Sequence, residues 1–308
     1  MQRLAAAREA HYVAALAARG LNRPEPVAEL TRPSAWADEP ERAIPVAPPA
    51  QPAVSGQRSG RYLRVLIWPD THLPYADPKA VSLALQVGRY YQPDLVILLG
   101  DVLDCTGFSR FPHDQVSPKS FLQTELDEWH GLAESIKEMA PHADRIFILG
   151  NHEERIERWL WSQPQLNGFS GLALASLLKL AEHGFRPEPV REVALCRGAL
   201  TVTHGTRIGG QGSGLAARQE MAKHGTSGVS GHTHRLALVT QRDKAGLRQW
   251  IESGHLSLNP PHYAPSVQNW IQGVTIGEVA ADGNDFELRP VPFRLSYRCL
   301  VDGREFSG

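Results

Sequence analysis

Five short motifs each follow an apolar run in this chain: Pro69-Asp70-Thr71-His72, Leu98-Leu99-Gly100-Asp101, Leu149-Gly150-Asn151-His152-Glu153, Thr203-His204-Gly205 and Gly231-His232-Thr233-His234. Leaving Glu153 aside, they supply two carboxylates, one carboxamide and five imidazoles, a donor set suited to two divalent cations and to hydrolysis between them. Asp70 and His72 stand two apart on extended chain, so both point to one side and can grip one ion. His232 and His234 repeat that spacing. Asp101 follows Gly100, which lets the backbone turn sharply, and the two oxygens of a carboxylate can bridge two cations. Asn151 offers a neutral oxygen, while His152 beside it projects elsewhere, a division that suits metal ligand and proton donor. Gly205 lets the chain turn away and leave His204 toward the site. Asp104 reads either as the cap of the next helix or as a partner that orients an imidazole.

Such side chains need rigid elements to carry them. The segments LRVLIWP, DLVILLG, RIFILG, ALTVTHG and TSGVSG are short, apolar and largely β-branched, as buried strands are. Helical spacing of apolar residues predicts helices over 79–91, 120–140, 153–161 and 171–183. The plan is α/β. Leu247 to Glu252, Trp270 to Val279 and Phe286 to Pro292 read as strands joined by Asp282-Gly283 and proline-bearing turns, an antiparallel portion that closes the domain. Residues 1–60 read as a helical arm, stopped by Gly20 and Pro24, followed by a proline-rich linker. The catalytic domain is expected over 61–295, with 296–308 as a C-terminal tail.

Composition excludes little. A net charge of -1 over 308 residues offers no overall cationic field for nucleic acid, although a local groove can still be basic. Cys105, Cys196 and Cys299 are scattered and lack CxxC spacing, so a reducing cytoplasm is the default. No apolar run reaches the roughly 18 residues of a membrane span, and no membrane association is expected.

Taken in order, the motifs resemble the calcineurin-like metallophosphoesterase superfamily, whose pattern runs DxH, GD, GNH with Asp or Glu, a lone His, then GHxH. The resemblance covers about Tyr62 to Pro292. It implies two packed mixed β-sheets flanked by helices, with metals beyond the carboxyl ends of the strands. It also implies one metal on Asp70, His72, Asp101 and His234 and a second on Asp101, Asn151, His204 and His232, with Asp101 bridging. Two divalent ions drawn from Mn, Fe, Zn or Co suit this oxygen and nitrogen set. They would activate a bridging hydroxide for in-line attack on a phosphate ester, with His152 as general acid and Asp104 or Glu153 keeping it protonated.

Substrate selection is less sharply written. Protein Ser/Thr phosphatases of this superfamily read GDxxDRG where this chain reads GDVLDCTG, so Cys105 stands in place of a phosphate-binding arginine. Arg155, Arg207 and Arg235 lie near the motifs and are candidate replacements. The stretch ESGHLSLNPPHYAPSVQNWIQGVTI resembles the closing segment of phosphoesterases from bacteriophage and prophage genomes, which makes a nucleotide or nucleic-acid phosphodiester a reasonable substrate class. Tyr263, Asn269 and Trp270 could stack or orient a base, although Trp270 reads as packing under the sheet. GGQGSG over 209–214 lacks the GK[ST] of a phosphate loop and reads as a mobile loop. A repair-type DNA exo- or endonuclease, and a non-catalytic binding scaffold on the same fold, stay open beside a phosphodiesterase.

Overall fold

Strands β1 (Tyr62–Trp68) and β2 (Leu95–Leu98) are apolar at successive positions because both of their faces are covered. In the computed structural model, which describes residues 62–109, 121–186, 189–210, 212–244, 246–261 and 268–308, Val65, Ile67, Leu95 and Ile97 point to one side of the sheet and Leu66, Trp68, Val96 and Leu98 to the other. The alternation is that of any strand; burial on both faces removes the polar half of the pattern. The arm and linker expected over 1–60 lie outside the described residues.

The first sheet has the order β10-β9-β1-β2-β3, with β3 spanning Asp144–Phe147, β9 Gly273–Ala280 and β10 Phe286–Pro292. Its β1, β2 and β3 are parallel, and β9 and β10 run antiparallel at the other edge. The second sheet has the order β4-β5-β6-β8-β7: β4 Glu192–Leu195, β5 Leu200–Thr203, β6 Ser227–Ser230, β7 Leu236–Asp243 and β8 Gly246–Ser253. Within it β5, β6 and β8 are parallel, while β4 and β7 are antiparallel edges. Val202, Val229 and Ile251 meet the inner face of the first sheet in a shared apolar layer. This is the expected pair of mixed sheets.

Helices α1 (Pro78–Tyr91) and α2 (Leu122–Met139) cover the outer face of the first sheet. Asp77 caps α1, accepting from the amides of Lys79 and Ala80 at 3.0 and 3.4 Å, and Pro78 stands at the position where a missing amide costs nothing. Leu126, Trp129, Ala133, Ile136 and Met139 recur at helical spacing on the buried face of α2. The helix expected over 153–161 is α3 (Glu154–Trp161). That expected over 171–183 is not continuous: a 3-10 turn at Ser170–Leu172 leads to α4 (Leu174–Leu177) and then to Lys179 with φ 46°. Tertiary contacts override the local pattern there, because the indole of Trp129 donates to the carbonyl of Leu178 at 2.8 Å and Leu178 and Leu180 turn into the core. On the far side, α5 (Leu215–His224) packs Ala217 and Met221 on Trp250 and Val239 of the second sheet. Residues 296–308, set apart above as a tail, include the hairpin β11 (Arg298–Val301) and β12 (Arg304–Ser307), whose Cys299, Val301 and Phe306 join the core beside α1.

Trp129 is fully buried, with Phe147 and Phe185 each 5.5 Å away between ring centres. Trp129→Ala should cost about 3–5 kcal/mol, and Trp129→Phe, which leaves the Leu178 carbonyl unpaired, about 1–3 kcal/mol. Urea denaturation with an unchanged slope checks both.

Candidate metal centre

The parallel strands of both sheets deliver their carboxyl ends to one place, beyond which sites of open α/β sheets form. From the first sheet come Asp70 and His72 after β1, Asp101 after β2, and Asn151 and His152 after β3; from the second come His204 after β5 and His232 and His234 after β6. His72, Asp101, His232 and His234 all have left-handed backbone, with φ of 53°, 48°, 67° and 58°. Such conformations are held against strain of order 1–3 kcal/mol each, and here they swing side chains back over the strand ends.

Two groups of donors result. In the first, His72 Nε2 lies 2.9 Å from His234 Nε2, and His234 Nε2 lies 3.3 Å from Asp70 Oδ2. In the second, His204 Nε2 lies 3.0 Å from Asn151 Oδ1, 3.2 Å from His232 Nδ1 and 3.3 Å from Asp101 Oδ2. Asp101 Oδ2 also lies 3.9 Å from His72 Nε2, so one oxygen faces both groups, while its partner Oδ1 accepts the amide of His152 at 2.9 Å.

The tautomers are decided from behind. The His204 ring donates Nδ1–H to the carbonyl of Leu99 at 2.8 Å, and His72 donates Nδ1–H to Asp104 Oδ1 at 2.9 Å. Both rings therefore aim Nε2 at the centre, with the lone pair that either a proton or a metal ion takes up. Those lone pairs converge on other acceptors at about 3 Å, the separation of adjacent donors around an ion that binds nitrogen at about 2.1 Å. Asp70 Oδ1 and His234 Nδ1 are buried without a hydrogen-bond partner among the described residues. The donor set fits divalent transition metals.

Electrostatics agree. Burial acts to lower the pKa of His72, but its hydrogen bond to Asp104 and the charges of Asp101, Asp104 and Asp70 outweigh that and push it up to about 9. His204 is likewise pushed up to about 10, burial being overcome by Asp101, Asp70 and Glu153. A field that strengthens proton binding this much attracts any cation. Burial, reinforced by neighbouring imidazoles, instead lowers His232 and His234. Asp101 stays well below the usual carboxylate range because His204 and His152 outweigh burial.

Glu153 does not serve His152. Its Oε1 accepts the amides of Val102 and Leu103 at 2.7 and 2.9 Å, and its Oε2 those of Asp101 and Gly150 at 3.0 and 3.1 Å. It ties the Asp101 loop to the Asn151 loop, and burial and Asp101 raise its pKa. A Cβ on Gly150 would collide with Asp101, and one on Gly231 with Asp70 Oδ1, so the ligand loops approach too closely for any other residue. Asp104 is the carboxylate beside His152, 3.4 Å from Nδ1. That Nδ1 also meets the Asp104 carbonyl at 2.7 Å, and His152 Nε2 meets Arg155 Nη2 at 2.9 Å.

Of the three candidate arginines, the structure brings only Arg155 to this cluster. Arg235 donates to the carbonyls of Ile208 and Gly212 and braces that loop, and Arg207 is exposed. Gln211 of the glycine-rich stretch lies outside the described residues. Trp270, expected under the sheet, instead stands edge-on to His234 with ring centres 4.2 Å apart and lines the cavity over the centre. His255, which sequence reasoning missed, is fully buried after β8 and stacks on His234 at 5.1 Å. Its signal was present: Gly254-His255 follows the apolar end of a strand as the other motifs do.

A model of the calcineurin-like phosphoesterase family matches residues 63–236, more than half of the chain. The Gene 54 protein of Mycobacterium phage L5 is 26% identical over 266 residues, covering 78% of this chain and 97% of that protein; its counterpart in Mycobacterium phage D29 is 27% identical over 265 residues, with the same coverage. Both agree with the resemblance to a phage-type member of the superfamily. Similar solved structures include Vacuolar Protein Sorting 29 from Cryptosporidium parvum, with TM-score 0.42 and 15% identity over 81% of this chain and 100% of that one. YfcE, a phosphoesterase from E. coli, has TM-score 0.34 and 15% identity over 71% and 100%.

One buried carboxyl behind the centre makes a pH prediction. Glu125 of α2 accepts the amide of Cys105, next to Asp104, at 2.8 Å, and burial, with smaller contributions from Asp104 and Glu153, raises its pKa to about 8. A carboxyl that holds its proton more tightly when folded makes stability fall as pH rises from about 4.5 through about 8, by up to roughly 1.4 kcal/mol per unit. Glu125→Gln should flatten that decline. Its melting temperature should match wild type near pH 4 and exceed it at pH 8.5, as read by thermal denaturation across pH.

Proposed function

Because this chain belongs to the calcineurin-like phosphoesterase family, we propose that it hydrolyses phosphate esters, phosphodiesters foremost, with two divalent transition-metal ions, manganese foremost. The observation that carries this reading is the single oxygen Asp101 Oδ2 facing two separate groups of converging lone pairs. Asp70, His72, Asp101 and His234 would hold one ion and Asp101, Asn151, His204 and His232 the other. Bound there, the ions would supply Lewis-acid polarisation of the phosphoryl oxygens and a water acidic enough to ionise near neutral pH.

The chain's own residues do the rest. Asp104 accepts Nδ1–H of His72 and so aims Nε2 at the centre. His152, with Nδ1–H on the Asp104 carbonyl, keeps Nε2 on the side of Asp101, 3.7 Å from Oδ2, and is our candidate to protonate the leaving oxygen. Arg155 Nη2 lies 2.9 Å from that Nε2. Protonation turns Nε2 from acceptor to donor and frees a guanidinium N–H of Arg155 for a phosphoryl oxygen. Arg155 thus takes the part of the cation that Cys105 does not supply. Among the described residues no helix is long and apolar enough to cross a membrane, and we place the protein in a reducing cytoplasm, where its buried cysteines remain thiols.

Purified protein with Mn²⁺ should turn over bis-p-nitrophenyl phosphate faster than p-nitrophenyl phosphate, with single- and double-stranded DNA assayed alongside to detect nuclease activity. Asp101→Ala should lose more than the roughly 10²–10³-fold in kcat that one stabilising donor is worth, and Arg155→Ala about that amount. Mn²⁺ at 100 times its Kd should add about 2.7 kcal/mol of stability to chelator-treated protein, and Asp101→Ala should abolish most of this gain. Absence of turnover by metal-loaded protein, with Asp101→Ala indistinguishable from wild type in both assays, overturns the reading.

A further inference from the structure

One wall of the cavity over the centre contributes none of the metal-holding residues assigned above. Tyr75, Leu258, Pro261 and Trp270 face His72, His152 and His234 across a space of about 170 Å³. That space also takes in the centre itself, being lined by Asp101, Asn151 and His232 as well, so its size fits a small ester with its substituent against the apolar wall rather than an extended chain. No described lysine or arginine lines it, and Arg155 meets it only through His152, a single cation where a groove that follows a nucleic-acid backbone needs them at successive phosphates.

The wall is built to stay in place. The amide of Leu256 donates to the carbonyl of Asp70 at 2.7 Å, that of Leu258 to Tyr75 at 2.9 Å and that of Ile271 to His234 at 3.0 Å. Three main-chain bonds therefore join it to the loops that carry the ligands. Asn259 holds its two ends together: Oδ1 accepts the amide of Gln268 at 2.9 Å, and Nδ2 donates to the carbonyls of Gln268 and Trp270 at 3.3 and 3.4 Å. The indole of Trp270 is set by edge contacts with two buried imidazoles, His234 at 4.2 Å and His255 at 5.5 Å. Trp270 remains only partly buried, and Leu258 is 41% exposed. An aromatic side chain fixed this firmly gives up little freedom when a ring settles on it, which is where stacking gains its affinity.

We propose that this wall selects the substrate: the centre takes small phosphate esters that carry a planar ring close to the ester oxygen, the ring lying against Trp270, Leu258 and Pro261. The proposal rests on the phosphoester reading above and narrows it. The shared chemistry is a flat apolar ring tethered to a phosphoryl group, supplied either by a simple aryl ester or by the base of a nucleoside ester.

Binding can be read without turnover. Full-length protein loaded with Mn²⁺ is titrated by calorimetry with phenylphosphonate and with methylphosphonate, which share a head group and cannot be hydrolysed as esters. Phenylphosphonate should bind about tenfold more tightly, within the range that base–aromatic stacking supplies. Trp270→Ala should reduce the phenyl-to-methyl ratio to below about threefold, Trp270→Phe should keep most of it, and Leu258→Ser, at a more exposed position, should lower it with the fold intact. The non-hydrolysable 5′-phosphonate analogues of thymidine 5′-monophosphate and of 2-deoxyribose 5-phosphate form the second pair. A larger ratio there assigns the wall to a nucleobase, and a ratio confined to the phenyl pair assigns it to simple aryl esters. Ratios near one for both pairs in wild type overturn the proposal, and if methylphosphonate still binds, the phosphoester reading survives. Failure of every ligand to bind overturns both.

Discussion

Converging nitrogens and oxygens that call for positive charge between them are the constraint on which the rest of this structure depends. His72 and His204 have each given their Nδ1–H to a partner behind them, so the nitrogens that face inward meet carboxylate, carboxamide and imidazole lone pairs at close range. In a buried setting that arrangement is costly unless positive charge fills it. Everything around the centre keeps those atoms from relaxing apart. Left-handed backbone at four ligands, glycines at the two closest approaches and strand ends from both sheets press in the same direction.

The holding is done largely by acids that never face the centre. Glu153 gathers four amides from two loops. Buried Glu220 of α5 accepts the amides of Thr206 and Arg207, just after His204. Glu252, at the end of β8, accepts those of Gly214 and Ala217 and reaches Thr233, between His232 and His234. Each replaces the solvent that a loop amide would otherwise need. The centre is thus nested among carboxylates that each tie down main-chain amides, Glu220 also standing 3.6 Å from Lys223 and 3.5 Å from His224.

The sequence made the ligands legible because each is a chemically distinctive residue at a strand end, a position that an apolar run followed by glycine or proline announces. Both sheets follow from the same runs. Less legible was anything whose role depends on an orientation. Glu153 adjoins His152 in sequence yet points to amides on another loop. Arg155 and Arg235 both flank motifs, and only one reaches the cluster. The interruption near Lys179 and the placement of Trp270 were decided by distant partners, Trp129 and the stacked pair His234 and His255. Strand β7 and helix α5 went unread because their polar residues mask the pattern of elements that bury only one face.

Strand order has a consequence for how the molecule is made. Strand β1, which ends in Asp70 and His72, is flanked by β2 and β9, and β6, which ends in His232 and His234, by β5 and β8. Until the chain beyond Leu236 has been synthesised, both strands are bare sheet edges, with open main-chain groups ready to pair with any neighbour. The family match, which stops at residue 236, therefore contains every candidate ligand yet omits the strands that flank the two that carry four of them. A growing chain holds every candidate donor of the centre before it has the strands that enclose them.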